Sequence, residues 1–212
     1  MSHHRGSSSS NHHHHHHHHH QQWTLAPANP TISPPSASPF SPSYHAQPAK
    51  NITEIIPRLY ISDLAFAENP ALLMSYRITH ILSTLPDNIF RPPPSLLPVQ
   101  PVRMQVKVED LPFAELAAHL PSTTAFIHNA LASSPEARVL VHCAEGVSRS
   151  VSVVAAFLMA QYGWTPLEAV HYIKSKRRVA NPNFGFIQQL HEYARVSLGR
   201  TIPNPVPPFG TS

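Results

Sequence analysis

The chain holds a single cysteine, Cys143, among 212 residues. One cysteine excludes an intramolecular disulfide and suits a reducing compartment. Charge is scarce too: 15 Lys and Arg stand against 11 Asp and Glu, a formal +4. Eleven of the 18 histidines lie in the first twenty residues, so low pH makes that end strongly cationic. Between Asn51 and Val196 stand twelve Lys/Arg and eleven Asp/Glu, so this part is nearly neutral. A nucleic-acid-binding body would carry a basic face, and none is indicated. Long apolar runs are missing as well. The longest, at residues 151–162, is too short and too interrupted to span a bilayer. No N-terminal apolar segment resembles a signal peptide. The expectation is a soluble intracellular monomer, cytoplasmic or nuclear or both, with neither nucleic acid nor membrane among its partners.

Length makes one domain the default. Residues 1–50 are Ser, His, Pro, Gln and Asn with scattered single apolars, which cannot form a periodic face. Burial there cannot offset the entropy of ordering the chain, so a disordered tail is expected. The histidine run at residues 12–20 is either a tag or natural low complexity; metal capture by it is chemically possible but lacks fixed geometry. Ser33-Pro34, Ser38-Pro39 and Ser41-Pro42 read as proline-directed phosphorylation sites or as an extended linker. Residues 198–212, with Pro203, Pro205, Pro207 and Pro208, form a second loose tail. The folded domain is therefore placed at 51–197.

Within it the punctuation is regular. Short β-prone runs at 52–56 and 59–61 are separated by Pro57, and Pro70 opens a helix running to Tyr76. Residues 78–82 read as a buried strand. After Pro92-Pro93-Pro94, the alternation of Val102, Met104, Val106 and Val108 predicts another strand. Residues 113–131 are helical in pattern, with Pro121 expected to break or kink them. Residues 139–142 are the central strand. Three helices follow: one near Arg149, one at the capping box Thr165-Pro166-Leu167-Glu168, and one at Asn181-Pro182. Strands alternating with helices predict an α/β fold, a central and mostly parallel twisted sheet flanked by helices. In such sheets ligands sit beyond the carboxyl ends of strands, where Cys143 lies.

Val139-Leu140-Val141 delivers Cys143 into a turn around Gly146, and Arg149 follows just where a helical pattern begins. A loop leading from strand to helix turns successive N–H groups toward one point, and the helix N-terminus adds positive potential. Such a nest binds a tetrahedral oxyanion. Arg149 supplies a bidentate fork to the same anion, and the same field stabilises a thiolate. A lone cysteine after an apolar run is by itself usually a core residue; Gly146 and Arg149 at these spacings argue for chemistry instead.

The segment HCAEGVSRS resembles the Cys-x5-Arg signature loop of protein tyrosine phosphatases, in the form found in dual-specificity phosphatases. LYIS at 59–62, ITHIL at 78–82, AFLM at 156–159 and NPNFGFIQQL at 181–190 resemble recurrent segments of that family. The resemblance covers about 51–196, and the compact atypical subgroup fits because no upstream docking domain is visible. It implies a protein phosphatase acting on phosphotyrosine and on phosphoserine or phosphothreonine through a phosphocysteine intermediate. Cys143 would be the nucleophile, and Arg149 would bind the phosphoryl oxygens. Ser150 would hydrogen-bond the departing thiolate, and His142 would stiffen the loop and tune the thiol. Asp110 would be the general acid and then the base that activates water, with Glu109 one position earlier as its competitor. Ala144, Glu145, Gly146, Val147, Ser148 and Arg149 would line the substrate phosphate. No metal or organic cofactor is implied, and the partner is a phosphorylated protein.

Glu145 would oppose thiolate formation if it pointed inward, so it is expected to face solvent. The loop has no lysine to favour phosphoinositides, so a protein substrate is favoured. KSKRR at 174–178 reads as a nuclear address, an acidic-substrate contact or a charged helix end. The rival readings are a catalytically weak phosphoprotein-binding module of the same fold and a phosphatase for a non-protein phosphate ester. A rhodanese-like transferase or an arsenate reductase explains neither Asp110 nor the NPNFGF segment.

Overall fold

The computed structural model describes residues 52–200, with five strands, six α-helices and one 3-10 turn among them. The histidine run, the Ser-Pro steps and the Pro-rich end after residue 200 lie outside the described residues. β1 (Ile52–Ile56) and β2 (Leu59–Ser62) flank Pro57. α1 (Leu64–Ala67) and α2 (Pro70–Ser75) lead to β3 (His80–Thr84), and a proline-rich connector leads to β4 (Val102–Val106). The 3-10 turn (Ala117–His119) precedes α3 (Leu120–Ser133), and β5 (Val139–His142) feeds α4 (Arg149–Tyr162). α5 (Pro166–Lys176) and α6 (Phe184–Val196) complete the order.

The strands lie in the order β1-β2-β5-β3-β4; β1 and β2 are antiparallel and the other pairs parallel. β5 is central because nothing in Val139-Leu140-Val141 needs water, and all three residues are fully buried. Leu140 stands in register with Tyr60 and Ile81, and these pack with Phe66 and Leu73 from α1 and α2. Val139 and Val141 alternate to the other face of the sheet. α4 is buried throughout residues 149–159 and packs against β5, α3, α5 and α6, which is why it carries no charge after Arg149. Each buried Val, Leu, Phe or Met there contributes roughly 1.5–3 kcal/mol. That burial fixes Arg149 beyond the carboxyl end of the central strand.

Local chemistry sets the helix ends. Gly163 ends α4 at φ 78°, donating to the Met159 carbonyl at 3.0 Å. The capping box at Thr165 is present: its N–H donates to Glu168 Oε2 at 2.8 Å, and Glu168 N–H donates to Thr165 Oγ1 at 3.3 Å.

Several boundaries differ from expectation. Pro121 sits in the first turn of α3, where its missing N–H has no intrahelical partner to lose, so it opens the helix and kinks nothing. Residues 113–116 precede the 3-10 turn and are not helical. α6 starts two residues late: the Asn183 side chain accepts from Phe186 N–H and takes the cap, while Asn181 N–H donates to the Val147 carbonyl. β3 begins at His80, after Ile78 has bonded back to Leu73, and Val108 lies beyond β4. The four-residue α1, capped by Asp63, is too short to show a helical period in the sequence. Among the described residues no helix is long and apolar enough to cross a membrane.

Candidate active site

Between His142 and Arg149 the chain must turn from a parallel strand into a helix. Each outward carbonyl of this turn is held from behind. Leu64 N–H donates to Ala144 O at 3.0 Å, Asn181 N–H to Val147 O at 2.8 Å and Ser152 N–H to Ser148 O at 2.9 Å. The Arg177 guanidinium donates from Nη2 to Glu145 O at 3.3 Å and from Nε to Gly146 O at 2.8 Å. In a trans peptide the N–H points opposite to the C=O. Pulling these carbonyls outward therefore turns the N–H groups of residues 145–149 inward, making an anion-binding nest. Gly146 has φ 69°, and a Cβ there would stand 2.6 Å from the Ser62 carbonyl oxygen and 2.7 Å from Arg177. Only glycine fits.

Cys143 lies at the floor of this nest, 1% exposed. Its Sγ accepts from Gly146 N–H at 3.2 Å and lies 3.3 Å from Ser150 Oγ. Burial alone pushes the thiol up. The Ser150 hydroxyl and the N–H groups of Ser150, Val147 and Gly146 outweigh burial and hold the thiol below its ordinary range.

His142 is fully buried beneath the loop. Its Nδ1 lies 3.2 Å from the Cys143 carbonyl, and its Nε2 lies 2.7 Å from Ser83 Oγ. A carbonyl only accepts, so the proton sits on Nδ1 and Ser83 donates to Nε2. Burial first, with the Arg103 charge behind it, pushes His142 down to about 4 against the opposing bond to Cys143. A neutral imidazole fixed at both nitrogens braces the loop and has no proton to pass on near neutrality. Thr84 Oγ1 adds a bond to the His142 carbonyl at 2.9 Å.

Arg149 donates from Nη1 to the Val108 carbonyl at 3.2 Å, and its Nε lies 3.7 Å from Asp110 Oδ2. That Nε is buried and has no hydrogen-bond partner. Asp110 Oδ1 accepts from Ser148 Oγ at 2.7 Å and from Asn183 Nδ2 at 2.8 Å. Ser148, at the N-cap of α4, therefore spends its hydroxyl on Asp110 and leaves the helix N-terminus uncapped by a side chain. Glu109 is exposed, and so are Ala144 and Glu145, which bring only backbone to the nest.

The structure thus gathers Asp110, His142, Cys143 and the loop through Ser150 at one point. Sequence reasoning missed Arg177, Asn183 and Gly185. Arg177, inside the charge run KSKRR, is only 8% exposed. Asn183 caps α6 with its oxygen and bonds Asp110 with its nitrogen. A Cβ on Gly185 would overlap the Pro112 backbone, so α6 bears directly on the segment carrying Asp110. No group of three or more His, Cys, Asp or Glu among the described residues could hold a metal.

Over residues 59–196 the chain matches the dual specificity phosphatase catalytic domain. It is 38% identical over 146 residues to Dual specificity protein phosphatase 1 of Arabidopsis thaliana, covering 67% of this chain and 69% of that protein. Identity to Dual specificity protein phosphatase 26 of Mus musculus is 38% over 138 residues, covering 65% of this chain and 64% of that one. The crystal structure of human DUSP28 is similar with a TM-score of 0.62 at 29% identity, covering 77% of this chain and 100% of that one. The matched span runs from the first residue of β2 to the last of α6 and so contains the nest, Asp110 and the helices behind them. The chain belongs to the dual specificity phosphatase family.

Proposed function

We propose that the chain hydrolyses phosphotyrosine and phosphoserine or phosphothreonine in proteins, with Cys143 as nucleophile. The thiolate attacks phosphorus, the P–O bond to the side-chain oxygen breaks, and Asp110 gives that oxygen its proton. Water deprotonated by Asp110 then attacks the phosphocysteine, releasing phosphate and the thiolate, to which Ser150 donates a hydrogen bond. The inward N–H groups and Arg149 hold the non-bridging oxygens and the charge that grows on them. The observation that carries this reading is the buried, unbonded Nε of Arg149. It lies 3.7 Å from Asp110, which the Ser148 hydroxyl ties to the loop that begins at the chain's only thiol. His142 positions the loop and takes no proton.

A protein substrate is favoured because the loop residues Ala144, Glu145 and Val147 offer no side-chain cation to a multiply phosphorylated head group. A compact atypical architecture is supported by a match that spans the whole of human DUSP28. Residues 51–197 act as the catalytic unit and the flanking segments as tails. The near-neutral charge of this unit speaks against a nucleic-acid partner, and its single thiol supports a reducing compartment, cytoplasm or nucleus.

The test is hydrolysis of an aryl phosphate by the purified full chain and by Cys143→Ser. Wild type should turn over and the serine variant should not, because a hydroxyl is un-ionised near neutral pH. Turnover retained at a tenth of wild type in Cys143→Ser overturns the assignment, and so does an inactive wild type with a folded spectrum.

A further inference from the structure

Arg177 leaves helical geometry at the end of α5, with φ −126° and ψ 94°, and its side chain turns inward beneath the nest. Its three nitrogens reach three different carriers. Nε and Nη2 hold the carbonyls of Gly146 and Glu145, and Nη1 donates to Thr53 Oγ1 at 3.1 Å. The peptide group that ends in the Glu145 carbonyl also contains the Gly146 N–H, which donates to Cys143 Sγ. The peptide group with the Gly146 carbonyl contains the Val147 N–H, which also favours the thiolate. The two dipoles aimed at sulfur from one side are gripped by Arg177 from the other.

We infer that Arg177 is a positioning residue for the nucleophile: it orients and polarises the two peptide groups on either side of Gly146 so that both N–H groups converge on the Cys143 thiolate. The inference rests on the proposed role of Cys143. A charged donor makes a stronger bond than a neutral one, and bonds in a chain polarise one another. A planar fork reaches two successive carbonyls and a hydroxyl at once, which a lysine ammonium on a flexible stem cannot do. A buried guanidinium needs nearby negative charge. Burial pushes Arg177 down, and the charges of Asp63 and Cys143 push it back up. A solvated charge run therefore does not describe this residue, although Lys174, Lys176 and Arg178 around it are exposed.

The test is the pH dependence of iodoacetamide alkylation of the full chain, in which Cys143 is the only thiol and no phosphatase activity is required. Arg177→Met should raise the midpoint by about one pH unit, a roughly tenfold slower reaction below the midpoint. Arg177→Lys, which holds one carbonyl at a time, should fall between the two. The acid limb of kcat/KM for an aryl phosphate should move by the same amount. Thr53→Val removes the third contact and should leave the midpoint in place. A merely structural pin predicts a lower melting temperature with wild-type midpoints in both Arg177 variants, and that result overturns the inference. If Arg177→Met does not fold, an unchanged midpoint in Arg177→Lys does so alone. A wild type with a low alkylation midpoint but no hydrolysis would instead overturn the proposed function and leave the role of Arg177 standing.

Discussion

The thiol side of the site and the acid side are held by different kinds of bond. Around Cys143 it is the backbone that is held: every carbonyl from Ala144 to Ser148 has a partner, three of them backbone N–H groups and two the Arg177 guanidinium, and the thiol is 1% exposed. Around Asp110 the holders are side chains, the Ser148 hydroxyl and the Asn183 amide, and the carboxyl-bearing side chain is 35% exposed. The residues just after it, Leu111 and Phe113, are 43% and 84% exposed. Geometry needed before any substrate arrives is built into the fold. Asp110, the proposed donor to the leaving oxygen, hangs on side-chain bonds that a single substitution can remove.

The contrast can be broken first at Asp110. Asp110→Ala should lower turnover of alkyl or unactivated aryl phosphates by roughly 100- to 10,000-fold. The loss should shrink with activated aryl phosphates, whose leaving groups need little protonation, and the alkylation midpoint of Cys143 should stay put. Glu109→Ala should be nearly silent; a large loss there would make Glu109 the acid.

The thiol side should show its dependence on His142 through pH. His142 is pushed down to about 4 in the folded state, against an ordinary value of 6.5. As pH falls from 6.5 toward 4, the unfolded chain gains a proton that the folded chain refuses, so stability falls. The loss approaches about 3 kcal/mol at the lower end. Urea midpoints measured across this window should slope steeply in wild type and less in His142→Gln, with equal slopes counting against the buried neutral histidine.

Smaller effects sharpen the acid side. Asn183→Ser keeps an N-cap for α6 but deletes the amide donor to Asp110. It should slow turnover of poor leaving groups by about tenfold, in line with the loss of one hydrogen bond to a charged group. Alkylation of Cys143 should not change; a shift there would show that the two sides are not separable. Removal of residues 1–50 should change aryl-phosphate turnover by less than about twofold, since their composition cannot build a site. A large loss would place that segment over the nest.

Sequence made the thiol side legible and the acid side only partly so, for a physical reason. A strand followed by a glycine turn and a helix start leaves local marks, so Cys143, Gly146 and Arg149 can be read from the residues alone. Asp110 lies 38 residues from Ser148, its hydrogen-bond partner, and only the family resemblance singled it out. Asn183 and Arg177 were hidden for a related reason: what distinguishes them is which way a side chain turns where one helix starts and another ends. In KSKRR that direction makes one arginine a buried support while its neighbours face solvent. Pro121 misled because a proline after an apolar residue looks the same at a helix start and in its middle.

Gly185 in the first turn of α6 fixes a clearance. A glycine in a helix ordinarily weakens it by about 1 kcal/mol, yet here the absent methyl is the space that the Pro112 backbone fills. Any larger residue would act as a wedge, lifting Pro112 and, two residues upstream, Asp110 away from Arg149. The placement of the proposed acid is thus gauged by a side chain that does not exist, and a change that leaves Asp110, Cys143 and Arg149 intact can still put them out of alignment.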